Sequence, residues 1–174
     1  MTSLEFDPLL VWMAAAWLAV LILHAGLAHT LDRDLFMQHL GAYRVPDALI
    51  TPLAWALPSL ELLCGAGLLT PWRAWAAGVC AALLMVYALA MAWHLAAGRS
   101  LDCGCGGEPL PLSWFLVARN VALLLVCVVA SATTLARELH VADQAVVLAA
   151  VLLGALLWAA FHQVLRHMRR PFIV

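Results

Sequence analysis

Lysine is absent from this 174-residue chain, and charged side chains of every kind make up 11% of it. The few charges nearly cancel, leaving a formal net charge of −1, so no nucleic-acid partner is expected. The apolar segments have no polar faces, which excludes a soluble core of this length. They also show no alternation of apolar and polar residues, which excludes membrane barrel strands. There are no internal repeats, no low-complexity tract and no stretch with the balance of a soluble domain. No arginine precedes the first apolar run, which follows Glu5 and Asp7, so that run is expected to be a retained anchor rather than a cleaved signal.

What the chain does have is apolar: 66% of its residues, with a mean hydropathy of +0.99. That balance belongs to an integral membrane protein. The expected fold is all-α, a polytopic helical bundle forming a single membrane domain over residues 1–174. About five spans are expected, at 9–29, 48–69, 72–97, 113–136 and 144–165, as a four-helix core plus a C-terminal helix. Each holds about 20 residues or more, which at ~1.5 Å per residue crosses a ~30 Å hydrocarbon layer. The lipid bilayer is therefore the first partner.

The connections are mostly short. A tight hairpin at 70–73, carrying Pro71, pins the second and third spans antiparallel. In the longer 30–47 connection, Leu31, Leu35, Phe36 and Leu40 are spaced to share one face of a short interfacial helix. Pro52 and Pro58 predict a bend in the second span. All nine basic side chains are arginine. Five spans place Arg33, Arg44, Arg99, Arg166, Arg169 and Arg170 on one side and Arg73 and Arg137 on the other. By the positive-inside rule, the 98–112 loop would be cytoplasmic and the amino terminus outside.

That loop holds the heptapeptide LDCGCGG, residues 101–107, with Cys103 and Cys105 one glycine apart. A disulfide between them closes a very small ring, and Gly104, Gly106 and Gly107 tolerate the conformations this demands. Strained disulfides are easily reduced, so the pair reads as a labile redox couple rather than a staple. Asp102 either relays protons or caps the turn. His24, His29, His94, Arg119 and His162 all fall in the loop-side half, where cationic or donor groups raise the thiolate fraction of a cysteine. Glu61 and Arg119 lie within spans, where an unpaired charge costs about 3 kcal/mol. Glu61 is expected to pair with Arg119 or His94, and Asn120 to hydrogen-bond between helices. Cys64, Cys80 and Cys127 read as small apolar core residues. The sharper alternative is that Cys64 and Cys80, nearly symmetric about the 70–73 hairpin, form a second redox pair.

The run HLAAGRSLDCGCGG followed by LSWFLVARNVALLLV resembles the MauE family of methylamine-utilisation membrane proteins, itself similar to DoxX-type proteins. The earlier run GLAHTLDRDLFMQHLGAYRVPDALITPLAWALPSLELLCGAGLL, with Tyr43, Pro46 and Glu61, resembles the family's first loop and second helix. The likeness extends over about residues 9–127. It implies a role at the bacterial inner membrane in maturing a periplasmic, disulfide-rich, quinone-bearing dehydrogenase subunit, such as the methylamine dehydrogenase small subunit, with a thioredoxin-fold partner. By position, Cys103 and Cys105 match the family's cysteine pair, and Glu61, Arg119 and Asn120 its intramembrane polar positions. Gly106 stands where relatives usually have an aromatic residue, and His29 lies near a position where a lysine is common. The implied role places the thiols at the periplasm, against the arginine count.

The expected function is membrane thiol-disulfide exchange by the Cys103–Cys105 pair, supported by Asp102, Gly104, Glu61, His94, Arg119 and Asn120. The sequence assigns no cofactor. A quinone is compatible as ultimate electron acceptor beside Trp93 and Trp114, although such side chains are commonly interfacial anchors. Three other readings stand beside this one: Cu(I) or Zn(II) held by Cys103, Cys105 and His94, haem held by His24 and His94, and a non-enzymatic scaffold for a redox partner.

Overall fold

The structure, a computed structural model, describes residues 5–104, 110–137 and 140–168. Cys105 and the side chain of His162 lie outside the described residues. Six helices account for nearly all of what is described: α1 (Pro8–Leu31), α2 (Arg33–Ala42), α3 (Asp47–Gly67), α4 (Arg73–Ala96), α5 (Trp114–Ser131) and α6 (Val141–Met168). Of these, α1, α3, α4 and α5 are long and apolar enough to cross a membrane, and α6 is apolar over Val141–Leu157. The helical membrane bundle expected from composition is what the chain forms.

Each helix begins and ends for local reasons. Asp7 caps α1 by accepting from the Leu9 amide at 2.8 Å, with Pro8 in the first turn, where its missing N–H costs nothing. Asp32 caps α2 in the same way, from the Leu35 amide. The α3–α4 connection is closed by Thr70, whose hydroxyl donates to the Gly67 carbonyl at 2.7 Å and accepts from the Trp72 amide at 3.2 Å. The helix α3 runs through both Pro52 and Pro58.

The molecule is apolar outside as well as inside. Trp75 is 79% exposed, and Trp55, Leu63, Leu89, Leu125 and Leu156 are also exposed, as befits lipid-facing side chains. The main core is a cluster from four helices that includes Leu18, Ile22, Leu68, Leu84 and Ala130. Helix α1 packs on α3, α5 and α6, and α4 packs on α5 and α3. The α1–α3 contact is close because of two glycines. A Cβ on Gly26 would lie 3.0 Å from Glu61 Cβ, and one on Gly65 would lie 2.8 Å from Leu23 Cγ. Small residues at such crossings let membrane helices approach.

One end of the bundle is tied together. The two-residue strands β1 (Glu5–Phe6) and β2 (Thr133–Thr134) pair in parallel. The Arg73 guanidinium donates to the carbonyls of Ala130 and Ala132. Arg137 pairs with Asp7 at 2.8 Å and with Asp143 at 2.5 Å, joining the lead into α1 to the first turn of α6. At the opposite end, α2 folds back on α3, burying Phe36 and Leu40 against Ala54. The short helix expected in the 30–47 connection is present, but Leu31 is exposed and stands outside that packed face.

Candidate functional site

The cysteine loop lies at the end away from the tied hairpin side. Its neck is closed by two backbone hydrogen bonds, Cys103 N–H to Leu110 O at 2.8 Å and Leu112 N–H to Leu101 O at 2.7 Å. An antiparallel bridge pairs Asp102 with Pro111. Cys103 is half-buried and packs against the cluster of Met91, Leu112 and Leu116.

Three consecutive carbonyls of this loop are held by side chains from the bundle. The Tyr43 hydroxyl, at the end of α2, donates to the carbonyls of Asp102 (3.3 Å) and Cys103 (3.4 Å). His29, in the last turn of α1, contacts the Gly104 carbonyl through Nε2 at 2.9 Å. A carbonyl oxygen can only accept, so Nε2 carries a proton. The other ring nitrogen, Nδ1, lies 2.8 Å from Glu61 Oε2, and the Tyr87 hydroxyl donates to Glu61 Oε1 at 2.7 Å. Glu61, 1% exposed, thereby has a partner on each oxygen. The proton between His29 and Glu61 makes either an imidazolium–carboxylate pair or a neutral pair, and both arrangements satisfy every atom. The ring of Phe36 stacks on His29 at 4.2 Å between centroids and keeps that imidazole from turning.

Gly104 is required by this geometry. Its φ is +64°, and a Cβ there would lie 3.3 Å from the His39 ring. An L side chain would carry both backbone strain and a close contact.

His94 serves the same region from α4. Its Nε2 lies 3.3 Å from the Tyr43 carbonyl and must donate, while Arg99 Nη1, 3.2 Å away, can only donate to Nδ1. This fixes the neutral Nε2–H form. With its ring also edge-on to that of Tyr43 (4.9 Å), His94 braces the tyrosine that holds the loop.

The structure corrects part of the expected pairing. Glu61 is met by His29 and Tyr87, not by Arg119 or His94, because the close α1–α3 crossing brings the last turn of α1 to Glu61. Arg119 is half-buried in the second turn of α5, and Asn120 is buried on that helix's inner side. The Asp102 side chain is exposed, and the residue contributes its backbone carbonyl to the clamp. His24 is exposed while His94 is buried and engaged at both ring nitrogens, which is no arrangement for a haem. Among the described residues, no group of three or more His, Cys, Asp or Glu is placed to hold a metal ion. Trp93 and Trp114 are both exposed, as interfacial anchors are. The sequence placed His29 in the loop-side half and marked Tyr43 only by resemblance, and it gave Tyr87 no role. The available signal was that Tyr43 and Tyr87 are the chain's two tyrosines, in a sequence where polar groups are scarce.

The comparisons with known proteins agree on one family. A family model described as methylamine utilisation protein MauE matches residues 7–133, from the start of α1 through α5 and including the loop. The methylamine utilization protein MauE of Paracoccus denitrificans is 36% identical over 128 residues, covering 71% of this chain and 69% of its own. That of Methylophilus methylotrophus is 36% identical over 129 residues, covering 71% and 68%. That of Methylorubrum extorquens is 34% identical over 128 residues, covering 71% and 69%. No solved structure matches. With a matched region that takes in every member of the carbonyl clamp, the chain belongs to the MauE family of methylamine utilisation proteins.

Proposed function

We propose that this membrane protein serves methylamine utilisation as a thiol-disulfide exchanger. Cys103 and Cys105 cycle between dithiol and disulfide, and they exchange with a thioredoxin-fold partner that serves a disulfide-rich periplasmic client such as the methylamine dehydrogenase small subunit. A thiolate of one protein attacks the disulfide of the other, giving a mixed disulfide and releasing one thiolate. The second thiolate of the attacking pair then resolves it, leaving one protein oxidised and the other reduced. Electrons and sulfurs balance, and the direction follows the two potentials.

The observation that supports this reading best is the clamp on the carbonyls of Asp102, Cys103 and Gly104. It grips the backbone around Cys103 through carbonyl oxygens, which suits a loop that must present its thiols in a fixed place to another protein. Metal binding is favoured less, since His94 would have to surrender Arg99 or Tyr43 to become a ligand. The test is a trap: with Cys105→Ser or Cys103→Ser, the remaining thiol should hold a thioredoxin-fold protein in a reducible adduct, and growth on methylamine should be lost. Normal client disulfides in the double variant would end the proposal.

A further inference from the structure

A second pair of thiols meets far from the loop. Cys64 of α3 and Cys80 of α4 place their sulfurs 3.1 Å apart, with the residues 5% and 0% exposed. They sit in the main core cluster with Leu18, Ile22, Leu68 and Leu84, and the short hairpin closed by Thr70 fixes the two helices side by side. Nothing in the loop's exchange chemistry uses them. Two cysteines that serve merely as small apolar residues need not point at one another, whereas these are in sulfur-to-sulfur contact. An approach of about 1 Å would complete a bond of ~2.05 Å.

We propose that Cys64 and Cys80 are an intramembrane redox couple, oxidised by a two-electron acceptor of the quinone class dissolved in the bilayer. The two S–H bonds break, one S–S bond forms, and the two electrons and two protons pass to the quinone oxygens to give the quinol. The enclosure selects the oxidant. Thioredoxin-fold proteins and water-soluble disulfides cannot reach sulfurs walled in by leucine and isoleucine, whereas a lipid-soluble quinone shares the acyl phase that surrounds these helices. The pair also touches the polar network, because the Cys64 thiol donates to the carbonyl of Glu61 at 3.4 Å, one turn from the carboxylate that His29 holds. Closing the disulfide would therefore tie α3 to α4 just beneath the residue that supports the loop.

The experiment uses the full chain in lipid nanodiscs with Cys103→Ser and Cys105→Ser in place, which leaves three thiols. Excess decylubiquinone should consume two of the three, yield a peptide linked through residues 64 and 80, and release one quinol per linked peptide. Dithiothreitol should reverse the loss. Adding Cys127→Ser should change neither yield, and adding Cys64→Ala should abolish both. The unmutated protein, alkylated directly in its native membranes, should show the same linked peptide, which covers the case of a variant that does not fold. Three thiols that stay reduced under excess quinone, or a linkage made through Cys127 instead, would overturn the proposal. Because the loop thiols are absent, failure of the exchange reading and failure of this one are separately visible.

Discussion

Tyr43 and His29 take hold of three successive peptide oxygens, and the energetic weight of that arrangement rests on Glu61. A carboxylate 1% exposed within a membrane helix is sustainable because both oxygens have partners. Removing one partner of a buried pair leaves the other uncompensated, typically at about 3 kcal/mol or more. His29→Ala should thus lower the thermal unfolding midpoint in detergent and weaken growth on methylamine at least tenfold. His29→Gln, which can still donate to Gly104, should recover part of both. Gly104→Ala tests the loop itself. With φ at +64°, the substitution costs roughly 1–2 kcal/mol in the backbone, and it should slow mixed-disulfide formation while leaving the unfolding midpoint of the bundle within a degree or two. Equal losses in both measurements would show that the loop and the bundle do not separate in this way. At this scale the sequence was partly legible. Cys103, Gly104, Glu61 and His94 announce themselves as polar or special residues in apolar surroundings. The pairing of Glu61 was not legible, because it depends on how closely α1 approaches α3, and helical spacing does not report distances between helices.

At the scale of elements, that approach is set by Gly26 and Gly65. Gly65→Val would drive a side chain into Leu23, an overpacking worth about 1–3 kcal/mol. The crossing should widen, carrying His29 off Glu61. The expected result is a loss of exchange activity approaching that of His29→Ala, with the added signature that Gly65→Ala, whose Cβ already meets Leu23 at 2.8 Å, loses a smaller share of it. Helix α2 contributes by packing: Phe36 serves the α3 contact on one side and stacks on His29 on the other. The amphipathic spacing of Phe36 and Leu40 foretold the helix, whereas the partner of its apolar face could not be read from spacing. Helix α5 ends at Ser131, short of the expected 136, since apolar residues continue past Ser131 but the backbone leaves the helix there to pair Thr133 and Thr134 with Glu5 and Phe6.

For the whole molecule, fold class was the most legible property, because continuous apolar runs admit few structures in lipid. Sidedness was the least. The arginine bias places the loop in the cytoplasm and the exchange reading requires the periplasm. Intact cells treated with a reductant and then a membrane-impermeant maleimide should label Cys103 and Cys105, while Cys127 stays unlabelled until detergent is added, and Cys64 and Cys80 until detergent and dithiothreitol are both present. Protection of the loop thiols in intact cells, with labelling after the membrane is opened, would assign them to the cytoplasm and exclude direct exchange with periplasmic partners.

The hold on the loop is addressed to oxygens that every amino acid carries. Apart from Gly104, a changed side chain there leaves these bonds their acceptors, because hydroxyl and imidazole meet main-chain oxygens. The scaffold is in this sense indifferent to the text it displays. On the exchange reading, a heptapeptide borrowed from a relative should bring that relative's choice of partner with it.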